Sequence, residues 1–148
     1  MAEDLELVPT TVYWDRPTWD RARAAYMADL DTLESSPTAF LWWLHRCLGV
    51  YSDLSPASRD QIRRRHPDPA RGTGQGFSRM HTLRTDLLDR IDGAIVRDRR
   101  DLGQMVSVSQ FCREAARAAA DAAEQRLGRD LPPAPGRLLN NPRRKRRD

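Results

Sequence analysis

Residues 77–95 read FSRMHTLRTDLLDRIDGAI, and the fold turns on how this stretch divides. Its first eight residues, Phe77 to Arg84, make a short extended segment that is too brief and too polar to join a larger sheet in so helical a chain. Such a strand requires a partner. From Thr85 or Asp86, either of which can cap a helix, Leu87, Leu88, Ile91, Ala94 and Ile95 follow the i, i+1, i+4, i+7, i+8 spacing of a buried stripe. The break at Leu102-Gly103 ends that helix. Ser107 and Gln110 then stand at capping-box spacing and open a second helix. Its apolar face runs through Val108, Phe111, Cys112, Ala115, Ala116, Ala119 and Ala122 or Ala123, and Leu127-Gly128 supplies the stop.

Upstream, HPDPARGTGQG (66–76) places two prolines and three glycines in a row that neither helix nor strand tolerates, and is read as a linker. Before it, Pro17 fits the first turn of a helix carrying Trp19, Ala22, Tyr26, Leu30 and Leu33 on one face. Ser36-Pro37 signals a second helix through Phe40, Leu41, Trp43, Leu44, Cys47 and Leu48 with Gly49 as its stop, and Ser55-Pro56 a third that ends in Arg63, Arg64 and Arg65. Residues 11–65 thus read as a small helical unit whose core is built by the tryptophans. Trp42 and Trp43 are adjacent and point to different faces, so one of them is available to a protein partner. Past Gly128 the Pro-rich stretch ends in Arg143, Arg144, Lys145, Arg146 and Arg147, an extended basic tail. No internal repeat is apparent.

Residues 1–60 hold 5 Arg against 10 acidic residues, and residues 61–148 hold 20 Lys+Arg against 11. That split suggests a polyanion for the C-terminal portion. No run reaches the ~18 apolar residues of a membrane span, and the acidic start MAEDLELVPT is unlike a secretory signal. The expected location is cytoplasmic, nucleoid or plasmid associated. Cys47 and Cys112 sit inside apolar helical patterns, without a second cysteine or a histidine at ligand spacing, and read as buried reduced thiols. Neither His45 nor His66 marks a metal site. With no glycine-rich phosphate loop, no paired carboxylate in an apolar setting and no nucleophile beside a base, the chain reads as a non-enzyme with no catalytic residues, metal or cofactor.

The order strand, helix, turn, helix, carried by HTLRTDLLDRIDGAI and SVSQFCREAARAA, resembles the ribbon-helix-helix family of MetJ/Arc-type repressors over about 50 residues. The resemblance implies a mainly α fold: a ribbon-helix-helix homodimer in which one short strand per subunit pairs across the dimer, with an N-terminal helical accessory unit. The division is 1–65 helical unit, 66–76 linker, 77–128 DNA-binding domain and 129–148 tail. It also implies sequence-specific binding of double-stranded DNA by a ribbon in the major groove. Counted from Leu87 and Leu88, Ser78, Met80, Thr82 and Arg84 face the DNA, and Phe77, Arg79, His81 and Leu83 face inward. A one-residue slip reverses these faces and makes Arg79 and His81 the readers. The amides and hydroxyls near Ser107, Val108 and Ser109 would hold a phosphate, and the basic tail would add salt-dependent affinity. The family includes ParB-like centromere-binding adaptors that engage a partition ATPase, here through the N-terminal unit, as well as repressors and antitoxins. A partition adaptor is the leading expectation and a repressor the alternative. A helical protein-interaction module without specific DNA binding is the reading from another class.

Overall fold

The structure, a computed structural model, describes residues 6–68 and 76–134. Two strands and five helices follow one another as β1 (Leu7–Asp15), α1 (Arg16–Thr32), α2 (Phe40–Ser52), α3 (Pro56–Arg65), β2 (Gly76–Arg84), α4 (Thr85–Leu102) and α5 (Val108–Leu127). The strand expected at 77–84 is present, and its partner lies in the same chain. β2 pairs antiparallel with β1, from Leu7 opposite Arg84 to Asp15 opposite Gly76, with Thr11 and Met80 at the centre. This corrects the expectation of a ribbon assembled across a dimer. The hydrogen-bonding edge that a second subunit would fill is taken by residues 7–15, which the helical reading of the N-terminal stretch passed over.

β1 carries β-branched and aromatic residues that favour a strand, and Val8, Thr10, Val12 and Trp14 fall on one face of it. Val12 and Trp14 are wholly buried. Asp15 ends the strand and caps α1: its carboxylate accepts from the Thr18 amide at 3.1 Å and from the Thr18 hydroxyl at 2.9 Å. Such a cap contributes ~1 kcal/mol. Ser55 and Ser107 cap α3 and α5 in the same way. Gly103 and Gly128 take left-handed conformations after α4 and α5, where a side chain would be strained. Other terminal signals differ from expectation. Helix α2 starts at Phe40 after an uncapped Ala39 and runs through Gly49 to Ser52, while α4 starts after Arg84 with no side-chain cap. Gly49 is a packing position, with the Arg90 guanidinium lying over its Cα.

The stretches on either side of the 66–76 connection share a single hydrophobic core, in which Trp14, Tyr26, Trp43 and Leu48 meet Leu83, Ile91, Phe111 and Ala116. Helix α5 is its axis. Residues 111–117 are all buried, and the alanines of α5 let α1, α2 and β1 approach closely.

The element order strand-helix-helix occurs twice. β2 begins 69 residues after β1, and α4 begins 69 residues after α1. The antiparallel ribbon has a local twofold at its centre, and the helices obey it: α1 packs on α5, α4 packs on α2, and α2 and α5 pack on each other. Ion pairs are duplicated as well. Arg21 of α1 reaches Asp121 at 3.1 Å, and its counterpart Arg90 of α4 reaches Asp53 at 2.8 Å. Asp29 in α1 pairs with Arg126, and its counterpart Asp98 in α4 pairs with Arg59. The halves therefore carry a shared pattern, Asp-Arg-x3-Ala-x3-Asp, at 20–29 and 89–98. In the second half α5 runs on as one helix, whereas the first half breaks into α2 and α3.

Beneath α4 lies a charge cluster centred on the fully buried Arg59 and Asp98. Arg59 donates to Asp98 at 2.9 Å and 2.6 Å and also reaches the carbonyls of Tyr51, Ser52 and Leu54, the unsatisfied end of α2. Arg63 bridges Asp98 at 2.6 Å and Glu114 at 2.9 Å, and the Tyr51 hydroxyl donates to Glu114 at 2.8 Å. Burial pushes the Asp98 carboxyl up, but hydrogen bonds from Arg59 and Arg63 outweigh it and hold the pKa below the usual carboxylate range. Asp98→Ala leaves the buried Arg59 guanidinium without its counter-ion while Arg63 keeps Glu114, and an unfolding midpoint in urea should report a loss of about 3–5 kcal/mol. Replacing both partners by apolar residues, Arg59→Met with Asp98→Leu, should recover only part of it, because the carbonyls of Tyr51, Ser52 and Leu54 lose the guanidinium that meets them.

His81 is packed on the inner face of the ribbon, and its Nε2 accepts from the Trp14 indole N–H at 3.1 Å. The imidazole must be neutral to accept that bond. Burial, with Arg79 and His45 adding to it, lowers its pKa to about 4. The unfolded chain, with a histidine near its usual value of about 6.5, takes up the proton first. Stability from this group is thus complete above about pH 6.5 and is lost as pH falls towards 4. Thermal unfolding between pH 7 and 4 should show a decline of a few kcal/mol, and His81→Gln should flatten that slope.

Candidate nucleic-acid interface

In the pairing of β1 with β2, alternate residues separate cleanly. Val8, Thr10, Val12 and Trp14 of β1 and Phe77, His81 and Leu83 of β2 turn towards the helices, while Leu7, Pro9, Thr11 and Tyr13 share the outer face with Ser78, Met80, Thr82 and Arg84. The register therefore sides with the count from Leu87 and Leu88. Arg79 and His81 belong to the inner parity. The Arg79 guanidinium reaches over the Trp19 ring at 4.9 Å, a cation–π contact at the ribbon's edge. At the centre of the outer face stand Thr11 and Met80, the latter 67% exposed.

The edges of this ribbon are held from both sides. Along β1, the Tyr13 amide donates to the Ser109 hydroxyl at 3.0 Å and the Tyr13 carbonyl accepts from Arg113 at 2.6 Å. Along β2, the Arg84 amide donates to His45 Nε2 at 3.3 Å, while His45 Nδ1 donates to the Leu41 carbonyl. These bonds fix both nitrogens of His45, and burial lowers its pKa. One strand is thus tied to the start of α5 and the other to α2. The start of α5 is thereby carried to one flank of the ribbon, and the middle of α2, at His45, to the other.

At α5, Ser107 is exposed and its hydroxyl accepts from the Gln110 amide at 3.0 Å. The amides of Val108 and Ser109 belong to the first turn, where no intrahelical carbonyl is available. Gln110 does not return the capping bond; its side chain donates to Glu114. At α2, the Ala39 cap supplies no side-chain acceptor. Sequence reasoning reached Ser107, Val108 and Ser109 but not the α2 terminus or the four outward residues of β1. The alternation Val8-Thr10-Val12-Trp14 was the available signal.

Charge on the outer face is sparse. Arg84 alone carries it, and its guanidinium forks onto Asp86 at 3.0 Å and 2.7 Å, holding that carboxyl below its ordinary pKa. Two further arginines near the α5 start face inward. Arg113 is locked to Asp68, and Arg117 bridges Asp15 and Asp68. Arg143, Arg144, Lys145, Arg146 and Arg147 lie outside the described residues.

Elsewhere, Cys47 and Cys112 are buried free thiols, and burial pushes both up, Cys112 to about 12. Among the described residues no cluster of three or more His, Cys, Asp or Glu is placed to hold a metal, and no helix is long and apolar enough to cross a membrane. Trp42 and Val50 leave α2 towards solvent, 45% and 60% exposed, whereas Trp43 is buried and donates to Asp29. No family model matches the chain, and no curated protein or solved structure matches it either.

Proposed function

We propose that this protein binds double-stranded DNA by laying the outer face of its β1–β2 ribbon in the major groove. The observation that carries the reading is the ribbon itself: two strands, sealed on one face by the core and open on the other, with the first turn of α5 fastened to one edge and His45 of α2 to the other. A two-stranded ribbon fits the width of the B-form major groove. Thr11 and Met80 suit thymine methyl groups, Ser78 and Thr82 suit either base edge, and Arg84 suits a guanine once it exchanges Asp86 for the base. The starts of α2 and α5 suit the flanking phosphates, contacts that set register without reading sequence. Because the outer face carries so little charge, the basic tail supplies much of the nonspecific affinity.

For biological role we favour a DNA-bound adaptor of the partition type over a simple repressor. Trp42 and Val50 support this preference, since both are exposed on α2 and an exposed tryptophan is a common anchor for a protein partner. The same pair is what favours the other reading, a protein-interaction module without specific DNA binding.

Selection from a random duplex library tests the proposal directly. The intact chain should enrich a short motif, and Thr11→Glu with Met80→Glu should abolish enrichment while leaving the circular dichroism spectrum unchanged, since both side chains are on the open face. Removing the side chain that meets one base edge should weaken binding by ~1–3 kcal/mol. Enrichment unaffected by the double variant would remove the ribbon face from the function. Deleting residues 137–148 should lower affinity for every duplex and flatten the dependence of log K on log salt by about 0.9 for each phosphate that the tail neutralises.

A further inference from the structure

We infer that the target is a non-palindromic duplex site occupied by a single chain; this rests on the DNA-binding reading and extends it to the symmetry of the ligand. When two identical subunits each contribute a strand, the ribbon has a true twofold axis and the DNA half-sites mirror it. Here both strands come from one chain, and the local twofold relates unlike residues. About the central Thr11–Met80 pair, the axis exchanges Pro9 with Ser78, Tyr13 with Thr82, and Asp15 with Arg84.

The two ends of the reading face consequently differ in chemistry. At one end Tyr13 lies opposite Ser78; the phenol oxygen accepts from the Gly76 amide at 2.7 Å, leaving its hydrogen and the Ser78 hydroxyl for base edges. At the other end Pro9 lies opposite Thr82 and Leu7 opposite Arg84, so this end holds an apolar surface and the face's one guanidinium. A guanine reader therefore exists on one half only. The phosphate anchors are unequal too. The Tyr13 end is fastened to α5, whose start carries the Ser107 and Ser109 hydroxyls, and the Arg84 end to α2, whose start has no capping side chain. No single half-site sequence satisfies both ends.

The full-length chain should be put through duplex selection, and the enriched duplex weighed in complex by native mass spectrometry. The expected result is a motif with no dyad and one chain per duplex. Two palindromes built by duplicating either half should each bind at least tenfold more weakly than the selected sequence. Arg84→Ala should relax preference at one end of the motif, and Ser78→Ala at the other. A palindromic motif, or two chains on each minimal site, would overturn the inference while leaving DNA binding by the ribbon in place. Absence of any enriched motif, with only salt-sensitive binding that disappears with the tail, would overturn the DNA-binding reading and this inference together.

Discussion

The pairing of residues 7–15 with residues 76–84 is the constraint from which the rest of the molecule follows. Each strand buries one face, and neither face is large enough to be covered by its own half. Once the strands align around Thr11 and Met80, Val12, Trp14, His81 and Leu83 form a continuous inner surface, and the helices that leave each strand must cross to the opposite half to cover it. That crossing explains why α1 packs on α5 and α4 on α2. It also explains why the last helix is so rich in alanine, since it lies where elements from both halves converge and only small side chains let them close.

Charge follows the same geometry. The acidic first portion and the basic second portion look, on paper, like a tail-heavy attraction for a polyanion. In the folded chain part of that difference is spent internally: Arg117 and Arg126 of α5 meet Asp15 and Asp29. The reverse occurs at Asp98, which faces Arg59 of the first portion, with the Arg63–Glu114 pair beside them. Buried ion pairs of this kind contribute little net stability against apolar packing, yet each one heavily penalises arrangements that leave a member unpaired. They act as keys between halves, and nearer the surface Arg21–Asp121 and Arg90–Asp53 occupy matching places in the two halves.

Local signals in the sequence were good guides where the physics is local. The caps at Ser55 and Ser107, the stops at Gly103 and Gly128, and the Leu87–Ile91–Ala94 stripe each depend on neighbours a few residues away, and they are legible. The outward parity of Ser78, Met80, Thr82 and Arg84 also follows from the helix that comes next. What could not be read locally is the partner of β2, because strand pairing spans the whole first half and edge hydrogen bonds carry no side-chain signature. Pro9 in the middle of β1 obscured that strand further. The two strands share no residue at equivalent positions, and only the Asp-Arg-x3-Ala-x3-Asp spacing betrays the repeated architecture. The Ser36-Pro37 signal misled for a related reason: Ser36 is buried in the α1–α2 turn, and its hydroxyl donates to the Pro37 carbonyl instead of capping.

Joining the two halves through the chain between α3 and β2 changes how the ribbon responds to dilution. A ribbon made from two molecules forms at a rate that falls with the square of concentration, so an assembly present in a few copies is partly unfolded. Here the second strand is always within reach of the first, at the effective concentration set by a short tether, on the order of millimolar. The ribbon forms by a first-order process, because both of its strands belong to one chain. A cell could keep such a chain at very low copy number and still have every molecule folded and competent.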